Sequence, residues 1–394
     1  MSKEITAAKI RNLLNKLSVW HRIVAIVFLN TVLLFVGFNV LVSLALTVRT
    51  NYFGAGTPTD RYSEQALASV YPEYSPQERK AIIAENWARP FLYSSYVLLR
   101  EAPYQGKYLN VTDAGFRKVK NQGPWPPDPA NINVFVFGGS TAFGYGVADG
   151  ETIASYLQEG MAPYSRRRVC AYNFGVASFY STQERILFER LLTQGHKPDI
   201  AIFVDGLNDL FRVEDDPAFS GRISANFDKS PAQMLLGQLP MMRILRKVQK
   251  ERGETNLSEG QIQTILRRYL YGKKLIEAAA HEFGIIPVFV WQPVPCYKYD
   301  TKHHLFYWSP ADYQAHARGY ESLERIYKAD ALGRNFLWCA NLQQDEKECL
   351  YVDIHHYTAK FSKKLADSVC RMCIERGIIK EAGLETQPIQ NKRF

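Results

Sequence analysis

The chain has 394 residues, enough for two or three units of roughly 150 residues each, or for one large α/β domain with attachments. Apolar residues make up 46% and charged residues 22%, which excludes a disordered or collagen-like chain. The formal net charge of +9 is carried by no long single-sign block, so the sequence offers no basic face for a nucleic acid.

Much of the basic excess sits at the N-terminus, where Lys3, Lys9, Arg11, Lys16 and Arg22 face Glu4 alone. Residues 23–48 then read IVAIVFLNTVLLFVGFNVLVSLALTV, with no ionisable side chain. As a helix this run extends about 39 Å, enough to cross a hydrocarbon core of about 30 Å with some tilt. A cleaved signal peptide has a shorter apolar region, although Ser43-Leu44-Ala45 reads as a small-residue cleavage site, so cleavage stays open. The expectation is a cytoplasmic basic segment (1–22), a transmembrane helix (23–48) and everything after Arg49 outside, in the inner or plasma membrane. Ile5, Ile10, Leu13, Leu14 and Leu17 recur at roughly helical spacing, so residues 1–22 read as a short helix on the inner surface or as an unstructured tail.

Residues 49–130 are irregular and punctuated by glycine and proline, and read as a linker and N-terminal extension packed on the following domain. One helix is expected at 76–87, with Ser75 as N-cap, Pro76 at the first position and Glu78 completing a capping box. Short extended pieces are expected around 108–116. From 131 the pattern changes. Val134-Phe135-Val136-Phe137, then 169–174, 200–204 and 285–291, are mostly apolar runs of the kind that form strands buried on both faces. Helices are expected between them, from a second capping box at Ser181–Glu184 through about Leu192, over 259–283, over 311–329 and over 358–376. This alternation predicts a three-layer α/β/α domain with a mainly parallel sheet over 131–380, with its site at the carboxyl ends of the strands. Residues 211–258, rich in charge, glycine and proline, read as an insertion over that crevice, and 381–394 as a tail.

Four polar features lie at the ends of these elements. The first strand runs into Gly138-Gly139-Ser140-Thr141, the second into Asn173-Phe174-Gly175, and the third into Asp205-Gly206-Leu207-Asn208-Asp209. Asp353-Ile354-His355-His356 precedes the last helix. Each alone is a common turn or cap. In this order, Ser, Gly, Asn and Asp-x-x-His resemble the blocks of the SGNH hydrolases, or GDSL-type esterases, over about residues 131–376, and that family's fold is the flavodoxin-like three-layer arrangement. The resemblance implies Ser140 as nucleophile, His356 as base with Asp353 as its partner, and Ser140, Gly175 and Asn208 as oxyanion-hole donors. It implies no metal or organic cofactor. Gly139 departs from it, because the family's name-giving motif has aspartate there.

The chemistry is coherent apart from the resemblance. A serine hydroxyl needs an adjacent base, imidazole suits that proton transfer, and a carboxylate holds the imidazole tautomer. The α/β-hydrolase elbow requires glycine where Ala142 stands. There is no GxxxxGK[ST] phosphate loop, and a metal reading of Asp353, His355 and His356 lacks an HExxH helix.

Smaller expectations concern the surroundings. Gln292 and Tyr145 are candidate substrate contacts, with a turn residue and a core aromatic as the plainer readings. His355 reads as a packing or substrate-side residue, and Arg166, Arg167 and Arg168 as a solvated basic loop. Of the six cysteines, Cys339 and Cys349 are the best candidate disulfide pair, while Cys370 and Cys373 read as core thiols. The expected function is a membrane-anchored serine esterase cleaving O-acyl, by analogy O-acetyl, esters on a cell-surface carbohydrate or lipid-linked substrate. An O-acyltransferase acting on a polysaccharide and a non-catalytic glycan-binding subunit remain open alternatives.

Overall fold

The computed structural model describes residues 2–53, 62–218, 220, 257–306 and 313–385. Most of the expected insertion, 211–258, and most of the tail, 381–394, therefore lie outside the described residues.

The described N-terminal residues form one helix, α1 (Ser2–Phe53). It continues through the basic segment without a break, so no separate surface helix or irregular tail precedes the apolar run. The candidate membrane span is Lys16–Ala45, starting earlier than the uncharged run. Its apolar side chains point outward: Trp20 is 69%, Phe28 70% and Leu34 74% exposed, which excludes a role as the core helix of this fold. Two of its polar side chains bond the preceding turn of the helix. Asn39 Nδ2 donates to the Phe35 carbonyl at 2.9 Å and Thr31 Oγ1 to the Val27 carbonyl at 2.8 Å.

The larger unit begins with two helices, α2 (Glu64–Val70) and α3 (Pro76–Trp87). The Ser75–Glu78 capping box forms as expected. Next come two small antiparallel hairpins, β1 (Phe91–Ser94) with β2 (Leu98–Glu101) and β3 (Tyr104–Gln105) with β4 (Asn110–Val111). Leu67, Val70, Ile82, Ile83 and Tyr108 of this extension bury against Phe306 and Val352, so it shares a core with the domain that follows.

That domain runs β5 (Ile132–Gly138), α4 (Ser140–Phe143), α5 (Ile153–Met161), β6 (Val169–Asn173), α6 (Ser181–Thr193), β7 (Ile200–Asp205), α7 (Glu259–Phe283), β8 (Ile286–Trp291), α8 (Gln314–Lys328), β9 (Phe336–Trp338) and α9 (Ala359–Glu375). The five long-range strands form one parallel sheet in the order β6-β5-β7-β8-β9. The strands alternate two apolar surfaces with period two. Val134, Val136, Ile202, Val204, Val288 and Val290 pack under α5 and α9. Phe135, Phe137, Phe203, Phe289 and Trp291 pack under α6, α7 and α8. On the aromatic face the parallel register stacks Phe137 on Phe203 and Phe203 on Phe289, with ring centroids 4.9 and 5.4 Å apart. The chain leaves β5 toward β6 on one side and returns to β7 on the other, so the switch point lies at the carboxyl ends of β5 and β7.

Some local expectations fail. Ser181 is the first residue of α6 and not its cap, which is Tyr180. The Ser181 hydroxyl donates to Asp209 Oδ1 at 2.5 Å, and Glu184 is buried in the first turn without capping Tyr180. Cys339 and Cys349 are unbonded. Cys339 is fully buried beyond β9, and the half-buried Cys349 thiol donates to the Tyr351 carbonyl. Cys370 and Cys373 lie in the aliphatic core. Arg167 and Arg168 are exposed but engaged. Arg167 pairs with Asp199, and Arg168 donates to the Asn121 carbonyl.

Candidate active site

Strand β5 ends at Gly138, and the chain turns at once into α4 with Gly139 as its N-cap. Ser140 is thus the first helical residue, and its N–H belongs to the turn whose donors have no partner within the helix. The departure at Gly139 has a spatial reason. A Cβ there would sit 2.3 Å from Asn208 Nδ2 and 3.1 Å from the Phe179 carbonyl oxygen. The Asn208 amide therefore lies against the backbone just before Ser140. One of its two hydrogens goes to the Phe179 carbonyl at 2.6 Å, leaving the other for a substrate.

Gly175 is placed differently from the expectation. Its N–H donates to Asn173 Oδ1 at 3.0 Å, and a Cβ on it would strike the Phe143 backbone nitrogen at 2.3 Å. Asn173 in turn donates to the Ala142 and Phe143 carbonyls. Gly175 and Asn173 thus seat the loop after β6 against α4, and the Gly175 N–H is already committed. Arg117, fully buried, closes the other side. It donates to the carbonyls of Phe143, Gly144 and Val147 and pairs with Asp149.

The last block is a tight loop before α9, closed by the Val352 N–H to the His356 carbonyl and the Thr358 N–H to the Leu350 carbonyl. Asp353 Oδ2 lies 2.6 Å from His356 Nδ1, while Oδ1 accepts the N–H groups of His355 at 3.0 Å and His356 at 2.8 Å. Burial alone would raise this carboxyl, but the charge of His356 and these bonds outweigh it and hold Asp353 below the usual carboxylate range. An ionised Asp353 only accepts, so a proton sits on His356 Nδ1, and the other ring nitrogen is Nε2. That Nε2 is buried and has no hydrogen-bond partner. His355 packs its ring 4.4 Å from that of His356, and burial and the charge of His356 depress it to about 3, so it stays neutral at pH 7.

Tyr145 joins the two distant segments. Its N–H donates to the Ser140 carbonyl at 3.1 Å, and its ring stacks on His356 with centroids 5.4 Å apart. Trp87 meets His356 edge-on at 6.0 Å and Tyr145 at 5.8 Å. The one mark of Trp87 in the sequence is its place as the last residue of a well-capped helix, which says nothing of where that helix docks.

Gln292 is 2% exposed, and its Oε1 accepts from Thr141 Oγ1 at 2.6 Å and Tyr357 Oη at 2.9 Å. It ties Thr141 to Tyr357, so its oxygen is already engaged within the protein.

No protein-family model matches the sequence, and no curated protein matches it significantly. Its solved structural neighbours include proteins described as G-D-S-L-family lipolytic proteins, esterases and lipases. One is an acetylxylan esterase, Axe2, from Geobacillus stearothermophilus (12% identity, TM-score 0.36, covering 66% of this chain and 98% of that one). Another is a member of the lipolytic protein G-D-S-L family from Veillonella parvula (11%, 0.34, 60% and 94%). A third is the lipase Lip_vut3 from a goat rumen metagenome (11%, 0.38, 65% and 99%). Likeness this distant assigns no activity to this chain.

Proposed function

We propose that the protein is a membrane-anchored, extracytoplasmic serine esterase of the SGNH type. The observation that carries this reading is the Asp353–His356 pair. Its free Nε2 is buried without a partner, while its ring stacks on Tyr145, which bonds the Ser140 backbone. In this mechanism His356 Nε2 takes the Ser140 hydroxyl proton as the oxygen attacks the ester carbonyl. The Ser140 N–H and the Asn208 amide receive the oxyanion. His356 then protonates the departing alcohol, and water, activated by the same imidazole, releases the acid from the acyl-enzyme.

The acceptor end of the substrate is proposed to be a carbohydrate. The half-buried Trp87 and the Tyr145 ring beside it supply the flat apolar surface on which sugar rings stack. The candidate span and its basic N-terminal flank support a cytoplasmic N-terminus and an outer catalytic domain.

The test is fluorophosphonate labelling of the full chain in detergent, with mass-spectrometric site mapping and hydrolysis of aryl acetates. Labelling at Ser140, with loss of labelling and turnover in Ser140→Ala, is expected. Labelling at another residue, unchanged by the substitution, discards the nucleophile. Acyl transfer to an added oligosaccharide exceeding hydrolysis converts the esterase into an acyltransferase with the same residues.

A further inference from the structure

Besides Trp87 and Arg117, the N-terminal extension brings a buried ion pair to this region. Arg89 is 8% and Glu101 1% exposed, and Arg89 Nη1 donates to Glu101 Oε2 at 2.9 Å. Arg89 is itself fixed, because its Nε donates to the Glu85 carbonyl at 2.9 Å and its guanidinium lies 4.7 Å from the Phe143 ring centroid. The other carboxylate oxygen, Glu101 Oε1, accepts from two places at once. These are the Ala177 N–H at 3.2 Å and Tyr145 Oη at 3.3 Å. Ala177 belongs to the loop after β6 and Tyr145 to the turn after Ser140. One carboxylate, on a hairpin outside the parallel sheet, therefore holds both crevice loops.

Stability does not account for this arrangement. A fully buried ion pair gives up about as much in desolvation as it gains, and apolar residues of the same volume serve as well or better. What an apolar pair cannot do is accept hydrogen bonds from two loops and fix the angle of the Tyr145 ring. That ring stacks directly on the His356 imidazole.

Building on the serine-esterase reading above, we propose that Glu101, clamped by Arg89, is a positioning residue that sets the His356 imidazole against Ser140 through Tyr145. It touches neither substrate nor reacting atoms. The extension is then part of the catalytic apparatus and not a spacer between membrane and enzyme.

Two conservative substitutions in the full chain test this. Tyr145→Phe keeps the ring, the stack and the ion pair but removes the hydroxyl. Glu101→Gln keeps the shape and one acceptor oxygen in place of two. Small misplacements of a catalytic group cost up to about 100-fold, so each variant is expected to lower kcat about tenfold with KM within about twofold. The double variant should be no slower than the worse single one, because both break the same link. Fluorophosphonate labelling of Ser140 should slow in proportion to kcat. Unchanged kcat in both variants, a loss confined to KM, or losses that multiply in the double variant would overturn the proposal. Should Glu101→Gln fail to fold, Tyr145→Phe decides the matter, since it leaves the ion pair intact. An unlabelled wild-type chain defeats the esterase reading itself. Wild-type labelling rates in every variant defeat only the positioning role.

Discussion

Asn208 owes its place to a missing side chain. Only because residue 139 lacks a Cβ does the amide lie against the backbone just before Ser140. The Phe179 carbonyl holds one amide hydrogen and so aims the other. Removing such a donor typically costs about 100- to 1,000-fold in turnover. Asn208→Ala is expected to lower kcat for an aryl acetate by that factor, with the melting temperature little changed. A loss below threefold would remove Asn208 from the oxyanion site. At this scale the sequence was informative where spacing is chemistry. Asp-x-x-His put a carboxylate within reach of the ring it bonds, and the separation of 353 and 356 held in space. It was uninformative where the role of a group depends on what else bonds it. Gly175 reads as a free donor at a strand end, but its N–H is taken by Asn173. Gln292 reads as a crevice residue, but Thr141 and Tyr357 claim its oxygen.

Elements with a strong local signal were legible, and those defined by their neighbours were not. Helix α7 spans the expected 259–283, because its caps and apolar stripe are all local. Strand β9 is three residues long and exists only because β8 pairs with it. Helix α5 also went unread, although its buried stripe Ile153, Leu157 and Met161 packs beneath the sheet. At α6 the Ser-x-x-Glu pattern misled, because both side chains were recruited elsewhere. Ser181 turns to Asp209, and Glu184 is buried beside Asp205. Burial, with the neighbouring carboxylates adding to it, raises Glu184 and Asp205 well above the usual carboxylate range. Both carboxyls ionise in the unfolded chain at lower pH than in the folded one. The pair therefore costs stability progressively as pH rises above the unfolded values near 4. Glu184→Gln removes one titration while keeping the shape. Its melting temperature relative to wild type is expected to rise between pH 5 and pH 9. An equal difference at both pH values would show that Glu184 carries no trapped proton.

For the molecule as a whole, the exposed apolar side chains of α1 require a nonpolar surrounding that the chain itself does not supply. The full-length protein is expected to stay in the membrane pellet after washing at alkaline carbonate pH. Release into the supernatant would show that the span is cleaved or peripheral. What the sequence by itself determined is whatever follows from chemistry a few residues apart. This covers the uncharged run of α1, the two faces of each strand, the capped helices, and the Asp353–His356 contact. Periodicity and spacing act over one or two turns of chain, so they survive folding unchanged. Tertiary structure alone decided which donors remain free, which acids are buried together, that Trp87 meets the His356 ring, and that the Arg89–Glu101 pair of the extension bonds the loop after β6. A hydrogen bond or an aromatic contact is chosen by distance in space. Tyr145, bonded to the Ser140 carbonyl, meets the His356 ring only because the turn after β5 and the loop before α9 bring remote segments together.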